Sequence, residues 1–350
     1  AETNVNINNP TGTTIDGTIA VTLNNGASFT VDNDGTIGGS AGTNAFGINA
    51  LNTTAITTLT NDGTISGTAT VDSASGIRFT SNASITNLTN NGTISGTAGT
   101  SVGQGIGFTD STITTLTNND TISGTAGNDT GRSIRLTDST ITTLTNNDTI
   151  SGEAGTDIGH GTSLKFSTIT TLTNNGTISG TAGNDTGRGI SLSRAEITNL
   201  TNNDTISGTA TNDNGTGIRL SNNGDTVNST IGTLTNNGTI SGTASNDFGE
   251  GIRLQTNSTI TNLTNDGTIS GTATNNNGQG ITLFTNSEIT TLTNNDTISG
   301  TAGVDTGEGI ALSQSEITTL TNNDTISGEA GNDNGFGIRL LTNSTITNLT

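Results

Sequence analysis

Five aspartates, Asp129, Asp157, Asp185, Asp213 and Asp247, follow one another at intervals of 28, 28, 28 and 34 residues, and Asn276, Asp305 and Asp333 continue the series. Carboxylates recurring in this way suit a hard cation that prefers oxygen ligands. If they stack near 5 Å, neighbours repel by on the order of 1 kcal/mol in a water-like dielectric, and bound calcium would offset the repulsion. The plainer alternative is a solvated Asx turn ahead of glycines such as Gly131. The single histidine, His160, falls in a column that runs Gln104, Arg132, His160, Arg188, Thr216, Glu250, Gln279, Glu308 and Phe336, with glycine on both sides of His160. A position that accepts every chemical type reads as a solvated loop or strand edge. Catalysis by His160 would also need an orienting partner and a nucleophile, and neither is evident in the sequence. Paired threonines form a third series, with Thr143 and Thr145, then Thr171 and Thr173, flanking leucines.

These intervals belong to a repeat that fixes the elements. Taking the leucine of the phrase TLTNNGTISGTAG as a marker gives Leu59, Leu88, Leu116, Leu144, Leu172, Leu200, Leu234, Leu263, Leu292, Leu320 and Leu349. Every interval between them is 28 or 29 residues except the 34 between Leu200 and Leu234. A fixed period in this range marks a solenoid, in which each repeat buries its apolar face only against its neighbours. Within residues 56–83, three short stretches alternate apolar and polar residues: Ile56 to Thr60, Thr64 to Ser66, and Gly76 to Thr80. Turn residues separate them. Ile56 and Leu59 are three apart, so both can point inward only across a bulge. The spacing therefore predicts an all-β, three-sided parallel β-helix. Because 28–29 is not a multiple of the hexapeptide unit of left-handed coils, the right-handed form is expected. About eleven rungs at ~4.8 Å make a rod roughly 50 Å long.

The interior divides into columns. Leu59 and its successors form one, Ile65, Ile94, Ile122 and Ile150 a second, and Ile77, Ile106 and Ile134 a third, with Thr162 breaking the last. A fourth is expected to run Phe79, Phe108, Leu136, Phe166, Leu192 and Leu220. Asn61, Asn90, Asn118, Asn146, Asn174 and Asn202 recur two residues after the leucine and should point inward as a hydrogen-bonded asparagine ladder. Gly67 and its equivalents, from Gly96 to Gly328, are expected to adopt backbone angles that a Cβ would hinder.

Hydrophobic residues are only 27% of the chain, a composition that suggests disorder until their strict periodicity is seen. The net charge of −20 repels nucleic acid and anionic membranes, and nine dispersed basic residues predict no phosphate-binding stripe. No apolar run approaches the ~20 residues of a membrane span. With aromatics at 2% and no clustered basic or acidic groove, an enzyme is not expected. The start at Ala1 suggests a mature segment whose signal peptide has been removed, and hence export.

Repeats of the form ITTLTNNGTISG, as at 169–180, resemble the passenger segments of bacterial autotransporters and related giant surface proteins. The resemblance implies a right-handed β-helix outside the cell, acting as an adhesin or stalk. The expected function is a non-enzymatic surface stalk, adhesin or self-assembling fibre subunit. Its partners would be other copies of itself, head to tail or lateral, or a ligand on a host or neighbouring cell. Two alternatives stand beside it. One is an ice-binding solenoid, since the outward Thr pairs resemble the TxT face of such proteins. The other is a calcium-stabilised passenger domain that binds carbohydrate or cells. Residues 1–27 fit the repeat poorly and read as a cap or pairing segment. Residues 28–350 are expected to form a single β-helix, open at the C-terminus, and residues 222–228 read as a bulging recognition loop.

Overall fold

Alternating threonine and aliphatic residues, broken every six or seven positions by Asn, Asp, Ser or Gly, leave no register in which a helix could form, and the described residues coil as strands only. The structure is a computed structural model that describes residues 4–24, 28–222 and 227–350. Residues 1–3 and 25–27 of the expected N-terminal segment, and 223–226 of the expected recognition loop, lie outside the described residues. The result is a right-handed parallel β-solenoid. In one turn the strands are Thr140–Asn146, Thr149–Ala154 and Ile158–Lys165. Each pairs in parallel with its equivalents in the turns before and after, which builds three continuous sheets of 13, 12 and 12 strands among the described residues. The sheets are called first, second and third here, in the order the chain visits them.

The turns number about twelve rather than the expected eleven. The extra turn comes from the N-terminal segment. Asn4–Asn9 pairs with Ser28–Asn33, Thr14–Gly17 with Thr36–Gly39, and Ile19–Asn24 with Phe46–Leu51. Its poor match to the repeat reflects shorter strands and missing consensus leucines. Asn4–Asn9 and Ser28–Asn33 also pair without a skipped residue, so the register shifts between Phe29 and Thr30 where Ser28–Asn33 meets Ala55–Asn61.

The predicted bulge is present in the first sheet. Ile85 pairs with Ile113 and Asn87 with Thr115, one residue being skipped on each strand, so Ile85 and Leu88 are both buried. The Leu, Ile and Phe columns merge into one core that runs the length of the rod. The fourth column needs one correction: Leu136 pairs with Leu164 and Leu164 with Leu192, so Leu164 fills it and Phe166 does not. Phe166 stands in the following corner with φ 50° and 40% exposed.

That third-to-first corner sets the length of most repeats. In most 28-residue turns one non-glycine residue takes a left-handed conformation there, as at Asp110, Asp138, Phe166 and Arg194. Before Leu59, 28 residues after Val31, both Asn52 and Thr53 do, since Ser28–Asn33 lacks the bulge residue. In three 29-residue turns two consecutive residues do, Ser81–Asn82, Thr256–Asn257 and Thr285–Asn286, whereas in the one ending at Leu349 only Asn343 does. An extra residue is absorbed by a second left-handed step, which leaves the strands in register. The six-residue excess between Leu200 and Leu234 enters at this same corner, between strands Gly215–Ser221 and Thr230–Asn236.

The repeated glycines act by close approach and not by unusual angles. A Cβ on Gly124 would lie 1.8 Å from the Arg132 carbonyl oxygen, and one on Gly67 2.2 Å from that of Ser75. The second and third sheets meet so tightly that only a hydrogen fits.

Candidate functional site

The asparagine ladder follows directly from an inward residue beside a corner. Asn118 Nδ2 donates to Asn146 Oδ1 at 2.8 Å, and Asn146 passes the bond on to Asn174 at 2.8 Å. The chain of bonds runs in one direction from Asn9 to Asn322. Asn61, Asn90, Asn118, Asn146, Asn174 and Asn202 are fully buried within it. Each amide also satisfies corner carbonyls, as Asn146 does for Asp148 and Thr177. A second, exposed ladder runs in the opposite direction one residue later: Asn147 donates to Asn119 at 2.7 Å and Asn175 to Asn147 at 2.9 Å. Both ladders satisfy polar groups of the coil and present no ligand geometry.

The aspartate series behaves unevenly. Asp185, Asp213 and Asp247 are half-buried and close enough for their carboxyl groups to hydrogen-bond. Burial, then hydrogen bonds to Asp185 and Asp247, raise the Asp213 pKa to about 6. Asp129 instead accepts the Thr130 hydroxyl at 2.8 Å, and Asp157 is exposed. Asn276, next in the column, donates to Asp247 at 3.0 Å, so an amide relieves the same crowding. Among the described residues, the carboxylates whose oxygens lie within 4.8 Å of one another as a trio are Asp32, Asp34 and Asp62, all exposed at the first-to-second corner. They are one place where a hard cation could be held.

The threonine ranks are in register. Thr115 pairs with Thr143 and Thr143 with Thr171, while Thr117, Thr145 and Thr173 form the second rank. These residues are half-buried, and an additional exposed threonine such as Thr142 stands beside them at the bulge. Asn87 and Asn199 interrupt the first rank, leaving an unbroken run of three turns, roughly 10 Å of regular surface.

The third sheet departs most from expectation. The column of His160 is not a solvated edge: His160 is 5% exposed, Gln279 4%, Glu308 1% and Glu250 0%. Gln104, Arg132, His160 and Arg188 follow one another in register along it. All nine basic residues of the chain lie on this sheet or one residue beyond it, on strands such as Thr130–Thr137 and Gly187–Ser193. Dispersed in sequence, they are gathered on one of three faces. The signal was present in the recurring Gly-Ile-Arg-Leu phrase at 217–220, 251–254 and 337–340. Arg188 Nη1 lies 3.0 Å from His160 Nε2. With the guanidinium donating, Nε2 accepts and Nδ1 carries the proton. Burial, then Arg188, Arg132 and Arg219, hold the His160 pKa well below its usual value, so the ring is neutral at pH 7. Burial also lowers Arg188 to about 9 and Arg132 to about 10. Glu250 joins Arg253 at 3.0 Å and Glu308 joins Arg339 at 2.6 Å. Phe166 tolerates its left-handed backbone while its ring lies 4.3 Å beneath the Arg194 guanidinium.

No known protein family, curated protein or solved structure matches this chain.

Proposed function

We propose that this chain is a non-enzymatic structural rod displayed outside the cell, a stalk or spacer that carries recognition on its faces. The observation that supports this reading is its one-dimensional construction. Three unbroken parallel sheets, one continuous aliphatic core and a one-way asparagine ladder hold about twelve turns whose contacts are with adjacent turns. Such a design extends reach in proportion to chain length and keeps every turn rigid. The one histidine is engaged otherwise: His160 is buried, neutral and bonded to Arg188. Electron microscopy of the purified protein should show straight rods roughly 55–60 Å long. Isolated rods would make it a stalk, whereas rods joined end to end would make it a fibre subunit. Protease shaving of intact producing cells should remove it, and full protection of the chain inside cells would refute the extracellular placement.

A further inference from the structure

Arg78 and Arg135 occupy one column on the outer face of the third sheet, two turns apart, and the residue between them, paired in register with both, is Gly107. Strands repeat at ~4.8 Å, so the two backbones stand roughly 10 Å apart, and the strand between them adds no side chain of its own in this column; the neighbouring Gln104 amide reaches across Gly107 instead. Both guanidiniums border the same cavity, where each can donate a charge-assisted hydrogen bond to a bound oxyanion.

The gap opens into a cavity of about 320 Å³ whose lining includes Arg78, Arg135, Gln104, Ser75 and Asn44. No carboxylate lines it, in a chain with 29 acidic and 9 basic residues. The Gln104 amide lies across Gly107, where a Cβ would come within 2.4 Å of Oε1. Arg78 is held in place over the Phe46 ring at 4.9 Å. Elsewhere on the face, Arg253 and Arg339 meet glutamates, Arg219 donates to Gln255 at 3.0 Å, and Arg188 meets His160. Arg135 has no hydrogen bond or ion pair to a described residue, and its charge works against that of Arg132 beside it. A half-buried guanidinium of this kind is an uncompensated donor in a strongly anionic molecule.

We propose that the cavity between Arg78 and Arg135 is an oxyanion-binding site for a sulfate, phosphate or carboxylate group. The two guanidiniums donate to the group, and the NH2 groups of Asn44 and Gln104 supply neutral donors beside them, while Gln104 Oε1 accepts from the Ser75 hydroxyl at 3.5 Å. The site does not depend on whether the rod is a stalk or a fibre subunit.

Isothermal titration calorimetry on the full chain tests this, with sodium sulfate, sodium phosphate and sodium acetate titrated separately into a chloride buffer of matched ionic strength. Saturable one-to-one binding of at least one anion is expected, and the anion that binds tightest identifies the group. Arg135→Gln should weaken it about tenfold or more, as the loss of a charge-assisted pair does. Lys165→Gln, which removes one charge from an exposed position on the same face, should leave the affinity unchanged. Because Arg78→Gln also loses the Phe46 contact, Arg135→Gln with an unchanged circular-dichroism spectrum is the deciding variant. Absence of saturable heat with all three anions overturns the proposal. So does equal weakening by Arg135→Gln and Lys165→Gln, which would mark general charge screening.

Discussion

Replacing Asn146 with alanine cuts the inner ladder at mid-rod, and its cost can be worked from the bonds it makes. Asn146 accepts from Asn118 at 2.8 Å and donates to Asn174 Oδ1 at 2.8 Å, to Asp148 O at 2.9 Å and to Thr177 O at 3.1 Å. An amide NH2 carries two hydrogens, so one of the three donations is shared, and at a net value of about 1 kcal/mol for each hydrogen engaged the side chain contributes about 3 kcal/mol. Asn118 keeps its bonds to the Asp120 and Thr149 carbonyls, which softens the loss on its side. Asn174 Oδ1, by contrast, is left buried without its donor, a further cost of about 1–3 kcal/mol. The adjacent Asn147 provides the control. It belongs to the exposed ladder, where water can replace both of its amide bonds, so Asn147→Ala should cost about 0.5 kcal/mol or less. Because each turn contacts only its neighbours, the damage should be local. Hydrogen exchange should show lost protection around residues 144–177 before the ends respond, alongside a lower denaturation midpoint. If Asn146→Ala lies within about 1 kcal/mol of wild type, or matches Asn147→Ala, the ladder does not hold the coil together as argued.

Four other substitutions test the remaining features. The raised pKa of Asp213 means that the folded state holds its proton more tightly. The stability it contributes is fully present below the ordinary value of 3.8 and is lost as pH rises through about 6. Asp213→Asn, which copies the arrangement at Asn276, should therefore raise Tm at pH 7.5 and change little at pH 4. If calcium occupies this stack, it should raise the wild-type Tm and do so less in the variant; no calcium-dependent rise would sink the metal expectation. Gly124→Ala places a Cβ 1.8 Å from a backbone oxygen and should prevent normal folding, as read by soluble yield. Gly38→Ala, whose nearest contact is 3.6 Å away, should be tolerated. Glu250→Ala strands the partly buried Arg253 and removes the acceptor of Thr282 at 3.1 Å, for an expected loss of about 3 kcal/mol in chemical denaturation.

The sequence by itself determined everything that depends on periodicity. Leu59, Ile65 and Ile77 recur at fixed intervals flanked by polar residues, and only strands stacked turn upon turn bury all three. The same register forces Asn61 inward, so the ladder was legible before any coordinates. Periodicity is blind, however, to which outward positions neighbouring loops and side chains cover. For that reason His160 and Glu250 read as solvated in the sequence yet are buried in the fold, and Phe166 read as core yet stands in a corner. Nor could spacing alone place the 28- and 29-residue repeats in one register, since that rests on one or two left-handed residues at a single corner. The basic face was the most hidden feature. Arg78, Arg135 and Arg219 are scattered among acidic residues along the chain, and only coiling brings every third strand onto one sheet. Charge that averages to a strongly negative value in sequence is thereby sorted in space, and the gap at Gly107 exists only because two distant arginines share a column.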